Sequence, residues 1–334
     1  MADLVEPGGV VVARREAGEW EQFASAFSRV ADNVRQVIQG KEQEVRLALV
    51  CLVAEGHLLI EDVPGVGKTM LAKSMARSID CSFRRIQFTP DLLPTDVTGV
   101  NVYNQERGDF EFKPGAIFAN IVLGDEINRA SPKTQSALLE SMEERQVTVD
   151  GVTYHLGVPF MVVATQNPIE HEGTYPLPEA QLDRFMMRLS IGYPSAESEA
   201  SILSTHGVAS TLEDIEAVTD AQGISEMIEM AREVHVAQAI LRYIVTLAEA
   251  TRRHPDVYLG ASPRASIMLL RAARSLAASD GRDYVIPDDV KALVVPVMSH
   301  RILIAADAAM TGRTPQAILE ELLHQVAVPV RDRA

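Results

Sequence analysis

The stretch Glu61-Asp62-Val63-Pro64-Gly65-Val66-Gly67-Lys68-Thr69 decides how this 334-residue chain is read. His57-Leu58-Leu59-Ile60 precedes it and reads as a buried strand, while Leu71, Met75 and Ile79 follow at helical spacing. Strand, tight loop and helix form the setting that a phosphate-binding loop requires. Gly65 and Gly67 let the backbone turn its N–H groups toward a polyphosphate, and the helix start adds a field that favours anions. Lys68 is expected to reach the β- and γ-phosphates, and Thr69 to offer its hydroxyl to Mg²⁺. Asp62, Pro64, Val66 and Met70 complete the candidate nucleotide-binding set. One departure stands out: the usual loop pattern opens with glycine where this chain has Asp62.

Working outward, the next strong signal is Ile121-Val122-Leu123-Gly124, a buried strand ending in Asp125-Glu126. Carboxylates at the carboxyl end of a parallel strand stand where such sheets bind ligands. Asp125 is assigned to the Mg²⁺ shell and Glu126 to polarising the attacking water. A third strand, 160–164, ends in Thr165-Gln166-Asn167-Pro168. There a side-chain amide orients the hydrolytic water; Asn167 is the first choice and Gln166 the second. Two hairpins are inserted among these strands. One alternates around Glu106-Arg107-Gly108-Asp109. The other pairs 146–149 with 152–155 across the type I′ turn signal Asp150-Gly151.

Ahead of the loop, 20–38 carries Phe23, Phe27, Val30, Val34 and Ile38 as one apolar stripe, and Gly40 separates it from a second helix over 41–55. Val37, Ile38 and Gly40 are candidates for an apolar shelf under adenine, with core packing the equal alternative. Thr89 and Pro90 read as N-cap and first residue of a helix. The segment 179–188 reads as helical, placing Arg184 and Arg188 one turn apart. Those arginines either pair locally with Asp183 and Glu179 or reach a neighbouring subunit's γ-phosphate. After Pro194 the β signals thin out. Helical periods over 224–234, 237–253, 263–278, 287–300 and 316–326 predict an all-helical second domain with breaks at Gly223, Pro255, Gly260, Gly281 and Pro287. Arg264, in the first turn after Ser262-Pro263, contacts phosphate if that helix end faces the nucleotide, and otherwise sits on the surface.

Composition sets outer bounds. With 47% hydrophobic and 23% charged residues the chain is ordinary for a globular protein. A net charge of −15 argues against a partner recognised through nucleic-acid phosphates. Two cysteines, Cys51 and Cys81, lie in apolar surroundings without metal-ligand spacing, the pattern of core thiols in a reduced, cytoplasmic protein. No apolar run approaches the ~18 residues of a membrane span, so no membrane insertion is expected. The expected division is a flexible tail over 1–19, an α/β nucleotide-binding core over 20–194 and a helical domain over 195–334.

The ordered set 60–69, Gln87-Phe88-Thr89-Pro90-Asp91-Leu92-Leu93-Pro94, Asp125-Glu126-Ile127-Asn128-Arg129-Ala130, Thr165-Gln166-Asn167-Pro168, Leu182-Asp183-Arg184-Phe185 and Ser262-Pro263-Arg264-Ala265 resembles the MoxR family of AAA+ ATPases. Asp62 is ordinary in that company. The resemblance implies an AAA+ core with a helical lid, the two hairpins matching the insertions of the magnesium-chelatase-like branch. It also implies ATP and Mg²⁺ as ligands, hexameric rings with nucleotide between subunits, and a motor that remodels partner proteins. Those partners often carry a von Willebrand A domain. By the same resemblance Lys68 and Thr69 belong to Walker A, and Asp125 and Glu126 to Walker B. Asn167 becomes sensor 1, Arg184 the arginine finger and Arg264 sensor 2. Competing readings are a nucleic-acid motor, an ATP-gated scaffold and a metal-chelatase subunit.

Overall fold

A computed structural model describes residues 15–168, 173–206 and 212–329. Most of the expected tail, and residues 330–334 at the other end, lie outside the described residues. Helix α1 (Ala17–Arg35) begins before Trp20, takes in the last residues assigned to the tail, and stops short of Ile38; α2 (Glu42–Val53) follows. The chain continues through β1 (Leu58–Glu61), α3 (Lys68–Ser78) and β2 (Phe83–Gln87). A short helix α4 (Pro94–Thr98) leads into the hairpin β3 (Gly99–Asn104) and β4 (Asp109–Pro114). Next come β5 (Ile121–Asp125), α5 (Pro132–Glu144), the second hairpin β6 (Gln146–Val149) and β7 (Val152–His155), and β8 (Met161–Gln166). One turn of helix, α6 (Glu179–Leu182), precedes β9 (Met187–Leu189).

Five strands form one parallel sheet in the order β2-β5-β8-β1-β9. Its residues alternate between two apolar layers, as a sheet covered on both faces must. Leu58, Ile60, Ile121, Leu123, Met161 and Val163 face α1, α2 and α3, whereas Leu59, Val122, Val162 and Ala164 face α5. The first layer continues without a break into the C-terminal helices α8 (Ala221–Glu233), α9 (Gln238–Arg253), α10 (Pro263–Ser279) and α11 (Pro287–Met298), so the lid shares the core's hydrophobic interior. Helix α7 (Ala196–His206) joins the two parts.

Four local expectations are corrected. The helix after β2 starts at Pro94 rather than Pro90: residues 89–92 form turns, and Asp96 accepts from the Leu93 N–H at 2.9 Å. Helix α6 ends at Leu182, so Arg184 and Arg188 are not successive turns of one helix; Arg188 lies in β9 and pairs with Glu61 at 2.9 Å. Gly223 lies inside the first turn of α8, where its N–H is capped by Asp220. The C-terminal part also includes an antiparallel ribbon, β10 (Val257–Leu259) with β11 (Leu303–Ile304), before α12 (Ala306–Met310) and α13 (Pro315–Gln325). Cys51 is fully buried, but Cys81 only partly so; both are free thiols.

The two inserted hairpins act as one unit. Phe112 of β4 stacks on Tyr154 of β7 with ring centroids 3.9 Å apart, and Asn101 donates to Asp150 at 2.7 Å. Asp150 and Gly151 both take positive φ, 50° and 81°, as a type I′ turn demands.

Candidate functional site: a phosphate-loop cleft and an arginine edge

Gly65 and Gly67 adopt φ of 87° and 95°, a region side chains disfavour, and Gly67 caps the start of α3. The turn brings the first N–H groups of α3 to the carboxyl end of β1, where no earlier carbonyl of the helix can accept them. A cleft of about 370 Å³ opens there, lined by Pro64, Gly65, Gly67, Lys68, Thr69, Met70, Arg85, Asp125, Glu126 and Asn167. A larger hollow of about 610 Å³ lies at the far end of α3, beside Arg77, Asp80 and Cys81, and holds none of these residues. The Lys68 ammonium donates to the Asp62 carbonyl at 2.5 Å.

Thr165, fully buried in β8, organises the two carboxylates. Its hydroxyl donates to Asp125 Oδ1 at 2.6 Å and accepts from the Glu126 N–H at 2.9 Å. Glu126 is thereby held at φ 57°, a left-handed conformation that costs a non-glycine residue about 1–3 kcal/mol. Arg85 binds Asp125 Oδ2 at 2.5 Å, while Gln87 and Arg129 each donate to Glu126 Oε2 at 3.0 Å. Arg85 lies outside the motif stretches, and Gln87 and Arg129 stand inside two of them with no role assigned from the sequence. Alternation along 83–87 could have pointed Arg85 and Gln87 the same way, but not toward these carboxylates.

The remaining predicted residues divide clearly. Asn167 lines the cleft; Gln166 does not, and its carbonyl accepts from the Asp62 N–H at 3.2 Å. Ile38 stands beside the loop, its Cδ1 3.8 Å from where a side chain on Gly67 would begin, and it is also packed into the core. Gly40, at φ 71°, lets α7 approach so closely that a β-carbon there would overlap Ser198. Val66 packs against the core. The Asp62 carboxylate turns away from the cleft to accept from the Ser190 hydroxyl at 3.0 Å and the Gly192 N–H at 2.6 Å. Burial works to raise its pKa, but hydrogen bonds from Gly192, Ser190 and Val63 outweigh that and hold it below the usual carboxylate range. Asp62 therefore ties the loop to the exit of β9, while its carbonyl accepts from Lys68.

Arg184 and Arg264 line no part of this cleft. They meet on one carboxylate, Glu143, near the C-terminus of α5: Arg184 Nε to Oε2 at 3.1 Å and Arg264 Nη1 to Oε1 at 2.9 Å. Helix α5 runs back from the end of β5, and its Met142 carbonyl bonds to His57 just before β1. The pair therefore sits at the amino ends of the strands. The phosphate loop is at their carboxyl ends, roughly 15 Å away for strands of this length. An arginine side chain does not span that gap, so neither Arg184 nor Arg264 reaches the phosphate loop of its own protomer. Arg301, unnoticed in the sequence, fixes this edge. Its buried guanidinium binds Asp183 Oδ1 at 2.7 Å and the Met186 carbonyl at 3.2 Å, so the loop carrying Arg184 is pinned to the lid.

A parallel sheet bearing a phosphate loop, paired carboxylates and a helical lid defines an AAA-type nucleotide-binding protein. The ATPase family associated with various cellular activities (AAA) matches residues 57–187, and the AAA lid domain matches 249–322. The chain is 48% identical to an uncharacterized protein, YeaC, of Bacillus subtilis, over 94% of this chain and 98% of that one. It is 44% identical to Chaperone MoxR1 of Mycobacterium tuberculosis, over 91% and 82%, and 31% identical to Protein MoxR of Methylorubrum extorquens, over 86% and 89%. A crystal structure from Cytophaga hutchinsonii, provisionally described as an ATPase, superposes with a TM-score of 0.88 at 38% identity, covering 94% of this chain and 98% of that one. The chain belongs to the MoxR family of AAA+ ATPases.

Proposed function

We propose that this protein hydrolyses ATP at sites shared between neighbouring protomers and uses the cycle to remodel partner proteins. The observation that carries the reading is the separation of its two halves: an anion-receiving cleft at the carboxyl edge of the sheet and an arginine pair at the amino edge. Two such unlike surfaces suit a head-to-tail interface, which closes into a ring, and a hexamer is the size we propose. The name of the mycobacterial relative supports a chaperone-like role, with a von Willebrand A domain protein as the proposed partner.

In the cleft, Lys68 exchanges the Asp62 carbonyl for a phosphate oxygen, a stronger charge-assisted partner. Glu126 takes a proton from water once its carboxylate is released from Gln87 and Arg129, and Asn167 orients that water for in-line attack. Arg184 from the next protomer stabilises charge on the transferring phosphoryl group. The donors Thr69 hydroxyl and Asp125 carboxylate are both oxygen, and a hydroxyl plus one carboxylate is the sparse set that suits Mg²⁺ alongside phosphate oxygens. Bound there, Mg²⁺ would supply neutralisation of the phosphate charge.

The test is Glu126→Gln. Loss of the base lowers turnover by about 10²–10⁴-fold while nucleotide binding persists, and the variant retains partners in pull-downs from native extract with ATP. Parent-rate hydrolysis by this variant sinks the assignment of Glu126. Stimulation of the parent by single- or double-stranded DNA at low salt sinks the protein-remodelling reading.

A further inference from the structure

Two guanidinium groups side by side repel one another, and nothing in the motif pattern explains how Arg184 and Arg264 share one place. Glu143 resolves this. Its two oxygens are divided, one to each arginine, at 3.1 and 2.9 Å. The nearest atom of Arg184 to Glu143 is Nε, and Nη1 and Nη2 of the same guanidinium carry further N–H donors. Arg264 donates to Glu143 from Nη1, and its Nη2 and Nε are further donors. All three side chains are about one-third exposed, so the pair remains reachable from outside. The backbones that carry the arginines are joined as well, because Asp183 binds Arg301 and lies 3.4 Å from the hydroxyl of Ser262, the cap of α10.

We infer that Glu143 is a positioning residue: it brackets Arg184 and Arg264 into a single two-pronged anion receptor, which is presented to the γ-phosphate held by the adjacent protomer. This rests on the shared-site reading above. One carboxylate between two arginines leaves a net positive charge, and a phosphoryl group carrying several oxygens can accept from both forks at once. Without the carboxylate, mutual repulsion splays the arginines and the second prong is lost.

The experiment compares the full-length parent with Glu143→Gln, Glu143→Asp, Arg184→Ala, Arg264→Ala and the double variant Glu143→Gln/Arg184→Ala. Steady-state turnover, affinity for a fluorescent ATP analogue and thermal midpoint are measured for each. Glu143→Gln is expected to lower kcat about tenfold with analogue affinity within about twofold of the parent and an unchanged midpoint. Glu143→Asp, which keeps the charge, recovers part of that loss. The double variant is no slower than Arg184→Ala alone, since the bracket acts only through the arginines. The inference is overturned if Glu143→Gln turns over within about twofold of the parent, if the loss appears in analogue affinity, or if its full factor is added to that of Arg184→Ala. Failure of the shared-site reading looks different: Arg184→Ala and Arg264→Ala then keep the parent rate whatever Glu143→Gln does.

Discussion

Substituting Glu55 by glutamine should loosen the lid from the core without touching the nucleotide cleft. Glu55 follows α2 at φ 56°, and its side chain is only 6% exposed. It pairs with Arg145 from the end of α5, Arg232 of α8 and, at 2.9 Å, Arg271 of α10. One carboxylate thus joins the core to two lid helices. Removing one partner from a buried ion pair costs about 3–5 kcal/mol, but these arginines are 36–50% exposed and water replaces part of the loss, so about 2–3 kcal/mol is expected. An unfolding entropy of about 2.1 cal/mol/K per residue gives about 0.7 kcal/mol/K for 334 residues, which converts the loss to a fall of about 3–4 °C in Tm. The pH dependence has a definite sign. Burial works to raise the Glu55 pKa, yet hydrogen bonds from Arg232 and Arg145 outweigh it and bring it down to about 2. A carboxylate depressed in the folded state stabilises it above its unfolded pKa, near 4.5, and ceases to do so as pH falls toward 2. Urea and thermal unfolding followed by circular dichroism at several pH values are the assay. A Tm within about 1 °C of the parent at pH 7, or a parent–variant gap that stays constant below pH 4.5, would refute the reasoning.

Two further outcomes are expected. Thr165→Val keeps the shape of β8 but leaves the Glu126 N–H and Asp125 Oδ1 without their shared partner; turnover should fall about tenfold or more with analogue affinity changed less than about threefold, measured by phosphate release and equilibrium binding. Acid should weaken the fold before most carboxylates protonate. His57 is buried, donating to the Met142 carbonyl and accepting from the Val162 N–H, and burial lowers its pKa to about 4; burial also holds His300 well below its usual value. Both are neutral when folded, so the stability they contribute is complete above about pH 6.5 and is lost as pH falls toward 4. Replacing His57 by glutamine should flatten urea-midpoint curves over that window.

Local signals decide much of this fold. Alternating apolar residues and strand-end carboxylates specify β1, β5 and β8, and Asp150-Gly151 specifies a hairpin, because each depends on neighbours a few residues away. Misreadings arise where distant residues intervene. Thr89-Pro90 and Leu93-Pro94 both offer a helix start, and Leu93 has no capping side chain, so local rules favour Thr89. The outcome is set by Asp96, whose side chain accepts from Leu93 and whose carbonyl accepts from Ala116. Helix α6 ends early because Arg301 gathers the carbonyls of Asp183, Phe185 and Met186, a contact across more than a hundred residues that no local pattern announces. The cleft was legible as a set of motifs, yet the contacts that Arg85, Gln87 and Arg129 make with its carboxylates were not, since Arg85 lies outside every motif and nothing local aims the other two at Glu126. Nor does the sequence disclose that Glu55 and Glu143 gather five arginines between them, because each of those pairs joins separate elements.

The account stands most directly on ATP turnover by a mixture of two inactive variants. Lys68→Ala lacks the phosphate grip but keeps Arg184, and Arg184→Ala keeps the grip but lacks the donated arginine. If each site is built from two protomers, co-assembled variants pair an intact cleft with an intact arginine edge, and phosphate release rises several-fold above that of either preparation alone. A mixture whose rate is the sum of its separate components, although the two variants co-assemble, would contradict it.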